Sequence, residues 1–252
     1  MSIPRELWKG FIFLDNYKKA FTDRQFYQAL GNTVIWVGES VILQFVIGLG
    51  TALVLNQKFR GRAIVRGAVM IPWATPLVVT TVLWSWIYHP NIGVLNDLLM
   101  RLGVLEVRAS WLADPNLALH LVALTQVWTG FPFFAIMLLA ALQSIPTDMY
   151  EAAKIDGASI SQSFKNITIP LLKGQIFVVI MLRVIWLSQN AMTIFLMTAG
   201  GPAGSTQVLA SYTFLVTLTH LNFGYASALG VILFLILLLL IYIYIKVGRV
   251  EI

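Results

Sequence analysis

The sequence predicts an all-α, polytopic membrane protein: about five transmembrane helices, with short cytoplasmic helices between them. Composition is the first reason. Of 252 residues, 58% are apolar and only 11% charged, where a soluble domain carries roughly a quarter, so there is too little polar surface to cover a water-soluble globule. The second reason is clustering. Gln25–Gln57 carries only Glu39, Gly67–Asn96 and Pro115–Thr147 carry no charge, and between Gly174 and Ile245 the only full charge is Arg183. Charge-poor apolar stretches of this length are long enough to cross a bilayer. The third reason is the placement of Lys and Arg in short loops, which also orients the chain.

Taken in order, residues 1–28 read as an interfacial, extracytoplasmic N-terminal segment, with Trp8, Phe11, Phe13, Tyr17, Phe21 and Phe26 among charges. Residues 29–248 form the transmembrane domain, with expected spans at 29–55, 66–88, 118–142, 170–198 and 224–246. The loop after the first span holds Lys58, Arg60, Arg62 and Arg66 and no acid, which places it in the cytoplasm. Alternation then puts loop 89–117 outside, loop 144–169 inside, loop 199–223 outside and the C-terminus inside. The N-terminal segment falls outside although it carries five basic residues. Two explanations fit: the chain lacks one further upstream span, or it is a five-span protein with its N-terminus out.

Several features interrupt the spans. Pro72 and Pro76 lie in the second and Gly130 and Pro132 in the third; prolines free backbone carbonyls and bend membrane helices. Either these are packing kinks or they wall an aqueous cavity. In the fourth span, Arg183, Trp186 and Asn190 follow i, i+3, i+7 and are expected on one helix face, with Gln189 beside them. Polar groups in a span face a bundle interior or a water-filled cavity. A substrate path is one reading; snorkelling of Arg183, or its pairing with Glu39, is the other. The 199–206 cluster AGGPAGST reads as a tight outer turn.

Much is excluded. No cysteine is present, so there is no disulfide framework or thiolate site. His89, His120 and His220 lack metal-ligand spacing and read as surface or interface residues, and no metal site is expected. No carboxylate cluster, Ser/His/Asp set or Gly-Lys dipeptide of a P-loop occurs, so neither catalysis nor ATP binding in that manner is expected of this chain. The net charge of +6 is accounted for by cytoplasmic loops rather than nucleic acid.

The polar interruption at Ser144–Lys173 remains. Pro146 fits a first helical turn, Ser144 or Thr147 can cap it, and Asp148 and Glu151 suit the positive end of the dipole. Gly157 can take the left-handed conformation that ends a helix. Ser159 or Ser161 then starts a second short helix, expected to stop before Pro170. The alanines beside the elbow let a partner approach closely.

This run resembles the signature loop of pore subunits in binding-protein-dependent ABC importers: Glu151, Ala152 and Ala153, then Gly157, then the hydrophobic-proline pair Ile169 and Pro170, with Asp156, Ala158 and Phe164 matching as well. LDNY at 14–17, FRGRAIVR at 59–66, the IPWATP and GFPF segments and TAGGP at 198–202 are similar to the carbohydrate-uptake (maltose and glycerol-3-phosphate) subclass. The resemblance implies a permease in a prokaryotic inner membrane that moves a sugar. A second permease subunit would pair with it, two ATPase subunits would hold the ATP and Mg, and an extracytoplasmic binding protein would deliver the solute. It implies an ATPase-coupling surface at Tyr150, Glu151, Ala152, Ala153, Asp156, Gly157 and Ala158, and a substrate path at Trp73, Gly130, Phe133, Arg183, Trp186, Gln189 and Asn190. A stand-alone secondary transporter or channel is the alternative; it would want ionisable residues paired within the spans, and this chain offers only Glu39 and Arg183.

Overall fold

Asp23 begins the first long helix. Its carboxylate accepts a hydrogen bond from the Gln25 amide at 2.9 Å, capping one of the free N–H groups at a helix start. The computed structural model describes residues 12–248; Trp8 and Phe11 of the expected interfacial segment and residues 249–252 of the basic tail lie outside them. A short helix α1 (Asp15–Thr22) precedes α2 (Arg24–Asn56). Then come α3 (Arg62–Ala74), α4 (Leu77–Ile87), α5 (Val94–Arg101) and, after a single 3-10 turn, α6 (Ala118–Gln143). Loop 144–169 holds α7 (Thr147–Ile155) and α8 (Ile160–Ser163), followed by α9 (Ile169–Ser188) and α10 (Met192–Thr198). Helices α11 (Leu209–Leu218) and α12 (Phe223–Gly248) complete the chain. No strand is present among the described residues.

The central seam runs between α2 and α6. Trp36, Val41, Ala52 and Leu55 of α2 are buried with Val122, Phe134, Leu138 and Leu142 of α6. Spacings of three, four and eleven, as in Ala52–Leu55, Phe134–Leu138–Leu142 and Val41–Ala52, keep such residues on one side of each helix. The remaining faces are equally apolar: Val34, Ile42, Val46 and Val54 on α2 and Phe234, Leu235, Leu238 and Leu239 on α12 stand exposed. In a bilayer such faces meet lipid or a partner helix, so close packing rather than burial from water selects the contact faces.

Four helical stretches are long and apolar enough to cross a membrane, and a fifth is a bent pair. The first starts at Arg24, earlier than the expected 29, because Phe26 and Ala29 bury against the C-terminal helices and Asp23 caps the end. The expected span 66–88, interrupted by Pro72 and Pro76, is formed by α3 and α4, bent by 92°. Thr75 is extended (φ −72°, ψ 128°), as the residue before a proline prefers, and Pro76 opens α4. Pro72 stays inside α3 without ending it.

The fourth span departs from expectation at both ends. The second loop helix does not stop before Pro170. It runs through a π turn, Phe164–Thr168, into α9, giving one 29-residue stretch, Ile160–Ser188. Pro170 has no N–H and would crowd the carbonyl four residues back; the wider π turn accommodates it. At the far end the helix breaks after Ser188. The Asn190 side-chain oxygen accepts from the Thr193 amide at 3.2 Å, a local side-chain bond that competes with helix continuation and starts α10.

Loop 199–223 is more than a turn. The AGGPAGST segment does turn tightly, and the Asn32 amide of α2 donates to the carbonyls of Gly204, Ser205 and Gln207 at 2.9–3.2 Å. The rest forms α11, whose Leu209, Tyr212 and Val216 are buried with Phe26, Ala29, Tyr225 and Leu229.

The N-terminal segment is docked on these helices. Asp23 accepts hydrogen bonds from Tyr212 and Tyr225, each at 2.6 Å. Burial alone would raise its carboxyl, but those two bonds, with the amides of Gln25 and Phe26, hold it below the ordinary aspartate value. A depressed carboxyl stabilises the fold above its unfolded pKa and loses that contribution as pH falls through the folded value. Thermal unfolding in detergent should therefore show wild type losing stability below about pH 4. Asp23→Asn should be about 1–2 kcal/mol less stable at pH 7 and lack that part of the acid dependence; identical acid limbs would refute the assignment.

Candidate functional site: an exposed elbow and a buried polar seam

Two places carry chemistry. The first is the elbow between α7 and α8. The Ala158 amide bonds the Ala153 carbonyl at 2.9 Å and the Gly157 amide bonds Lys154 at 3.1 Å, the paired bonds of a Schellman cap. This requires Gly157 to sit at φ +79°, where an L side chain is strained. Ser159 then caps α8: its hydroxyl accepts from the Gln162 amide at 3.3 Å while the Gln162 side chain accepts from the Ser159 amide at 2.7 Å, a capping box. Neither expected cap of α7 forms. The Ser144 hydroxyl donates back to Ala141, and Pro146 takes the N-cap position with no side-chain bond.

The predicted coupling residues divide by direction. Glu151, Ala152, Asp156 and Gly157 are exposed; Ala153 and Ala158 are half-buried. Tyr150 turns inward, its hydroxyl 3.0 Å from that of Thr168, a buried residue of the π turn. It ties α7 to the root of α9 instead of offering itself outward. The sequence reading missed Ile155 and Ile160, 86% and 92% exposed. Two large apolar side chains thus flank the elbow almost wholly exposed. Their signal was present as isoleucines in an otherwise polar loop.

The same end of the molecule holds a clamp. With the Gln143 amide oriented by its network, its oxygen accepts from Arg66 at 2.7 Å and from Arg62 at 2.5 Å. The last residue of α6 is thus fastened to the first turns of α3.

The second place is the seam where α2, α6 and α9 meet. Arg183 is buried, and its Nε donates to the Gln44 side-chain oxygen at 2.8 Å. The Gln44 amide donates to the Gln126 carbonyl at 2.8 Å. The Gln126 side-chain oxygen accepts from Thr193 at 3.2 Å and from Asn190 at 3.5 Å. Gly130 makes this possible: a Cβ there would lie 2.3 Å from an Arg183 terminal nitrogen and from the Gln44 amide. Nearby, the Trp36 indole donates to the Leu187 carbonyl at 3.1 Å.

The structure therefore separates the predicted path residues. Gly130, Arg183 and Asn190 belong to one network. Phe133 and Trp186 form an aromatic pair, ring centres 5.1 Å apart, with Trp186 half exposed. Arg183 points inward while Trp186 faces outward, and Asn190 lies beyond the end of α9, so the three do not share a helix face. Trp73 and Gln189 are exposed and join neither group. Arg183 does not pair with Glu39, whose carboxylate bonds His120 at 2.7 Å instead; His120 is thus a partner of α2. Gln44, Gln126 and Thr193 complete the seam and were not singled out from sequence. A cavity of about 540 Å³ bordered by Lys19, Asp23, Tyr212, His220 and Tyr225, and one of about 260 Å³ beside residues 199–204, lie at the end opposite the elbow; no predicted path residue lines either.

Comparison with known proteins agrees with this architecture. Residues 44–247 match the family described as binding-protein-dependent transport system inner membrane component. The trehalose/maltose transport system permease protein MalF of Thermococcus litoralis is 38% identical over 244 residues, 96% of this chain and 81% of its own. The sulfoquinovosyl glycerol transport system permease protein SmoG of Agrobacterium fabrum is 39% identical over 92% of this chain and 75% of its own. In fold, the chain superposes on a subunit of a bacterial ABC transporter that imports the acidic polysaccharide alginate, with a TM-score of 0.86 at 24% identity, covering 96% of this chain and 85% of that one. The elbow, the spans it joins and these matches together show that the chain belongs to the family of binding-protein-dependent transport system inner membrane components.

Proposed function

We propose that this chain is one permease subunit of an ATP-driven importer that carries a sugar or sugar-like solute across a prokaryotic cytoplasmic membrane. The observation that carries this is the elbow. It is a rigidly capped, exposed turn with two bare isoleucines, built directly onto the root of α9. Such a surface suits a protein partner: small residues allow close approach and the apolar pair supplies contact area. An ATPase dimer holding ATP and Mg would grip it from the cytoplasmic side, the side that the positive-inside tendency of Lys58, Arg60, Arg62 and Arg66 favours for this end. A second permease subunit would complete the pore, and an extracytoplasmic binding protein would supply the solute at the opposite end.

ATP binding would draw the two permeases' elbows together and rock the spans from inward-open to outward-open; hydrolysis would reset them. For this the ATPases must hold one pore conformation better than the other. The Tyr150–Thr168 contact and the continuous α8–α9 stretch give the elbow a stiff connection to the seam.

Sugar as the solute class is supported by what the similar permeases are named for, and by chemistry at mid-span. The Phe133–Trp186 pair offers aromatic faces for a sugar ring, and Asn190 offers an amide to its hydroxyls. Gly130 and Arg183 stand behind them and hold α9 in place. The test is assembly and flux. An Ala152→Cys variant, in a chain with no native cysteine, should crosslink to a co-purifying ATPase, and ATP should drive sugar uptake into proteoliposomes. Uptake driven by an ion gradient with no ATPase bound would overturn the proposal.

A further inference from the structure

Four cations lie within nine residues at the elbow end: Lys58, Arg60, Arg62 and Arg66. None takes part in an ion pair among the described residues, and the nearest acids in sequence are Glu39, already bonded to His120, and Asp97. Lys58 and Arg60 are exposed. Arg62 and Arg66, one turn apart on α3, are half-buried, and each gives a terminal amino group to Gln143. That clamp leaves the Nε of both guanidiniums buried with no partner. Positive charge in a cytoplasmic loop is general. Two inward-turned guanidiniums with unmet donors are not explained by it, because buried donors in folded proteins find acceptors.

The surroundings indicate what the accessible donors of this cluster meet. Phe59, Ile64 and Val65 beside the cations are exposed, Ile64 at 79%. Immediately beyond Arg66 the chain becomes the uncharged apolar run GAVMIPWA. The cations therefore stand where a polar loop meets an apolar helix. Guanidinium groups bind phosphate through paired N–H donors, and basic pockets between helices at this depth suit anionic lipid headgroups.

We propose that Lys58, Arg60, Arg62 and Arg66 form a binding site for the phosphate of an anionic phospholipid, with Phe59 and Val65 against its acyl chains. The site would brace α3 and, through Gln143, the start of the coupling loop.

The full chain in nanodiscs of mixed phosphatidylglycerol and phosphatidylcholine provides the test, with bound lipid counted by native mass spectrometry after release. Phosphatidylglycerol should be retained over phosphatidylcholine. The double variant Lys58→Gln/Arg60→Gln, whose side chains are exposed and outside the Gln143 clamp, should retain it about 25-fold less well, at about fivefold per cation, with an unchanged melting temperature in phosphatidylcholine alone. Arg62→Gln/Arg66→Gln should lose at least as much. Equal retention of both lipids, or of phosphatidylglycerol by wild type and the exposed double variant, overturns the proposal. So does displacement of the lipid by excess inorganic phosphate, which would mark a site for free phosphate.

Discussion

Ala152→Asp and Gly157→Leu should each abolish ATP-driven uptake and leave the spans folded. The two substitutions act by different physics. Ala152 is exposed on α7, beside Glu151. A second carboxylate there must be stripped of water when the partner docks, and an uncompensated charge in a closed interface costs several kcal/mol. Gly157 has open space around it: a Cβ built there meets nothing within 4 Å. The penalty is in the backbone. An L residue at φ +79° is strained by about 1–2 kcal/mol, enough to open the Schellman cap and swing α7 away from α8. Because α7 contains no buried residue, little of that cost reaches the membrane core, and the melting temperature should barely move. Gly157→Asn should keep part of the activity, since asparagine tolerates the left-handed region. Uptake and ATPase assembly are the measurements. Normal uptake by Ala152→Asp, with the ATPase bound, would show that the elbow is not the contact.

That elbow was legible in the sequence because its geometry is local. A glycine four residues past an Ala-Ala pair, with a serine two residues after it and a glutamine three residues beyond that, specifies a Schellman cap and a capping box without reference to the rest of the fold. The long spans were legible too, since an apolar run needs only length to cross a bilayer. What sequence did not reveal is what depends on neighbours. Pro72 and Pro76 look alike as letters, yet one lies inside α3 and the other sits at a 92° bend. Arg183 had only one acid to pair with in the spans, Glu39. But Glu39 and Gln44 are five residues apart on α2, about 140° around the helix, so only one can face α9, and packing chose Gln44. Tyr150 belonged by position to the docking motif, but its hydroxyl turns inward to Thr168. Helix α11 was hidden by its length: ten mainly apolar residues are too short for a span and were absorbed into the outer loop 199–223.

Arg183→Met should be the most damaging single change within the spans, and Gln44→Leu should partly repair it. Arg183 is 6% exposed and donates to Gln44 Oε1. Removing the guanidinium leaves the Gln44 oxygen buried without a donor, which costs about 1–3 kcal/mol. The shorter side chain also leaves a void against Gly130, adding a cavity term. Replacing both polar partners by apolar groups of similar shape is nearly neutral by comparison, so the double variant should recover most of the lost stability. A coupling energy of about 1–3 kcal/mol is expected from the thermodynamic cycle, read from denaturation in detergent. Uptake separates the roles. If Arg183 holds α9 in register and Asn190 meets the solute, the repaired double variant transports again. Asn190→Ala instead keeps its stability but loses transport or changes its choice of sugar. Recovery of stability without recovery of uptake would move Arg183 from the supporting seam into the path itself, with its free terminal amino group, unpartnered in the seam, as the group that meets the solute.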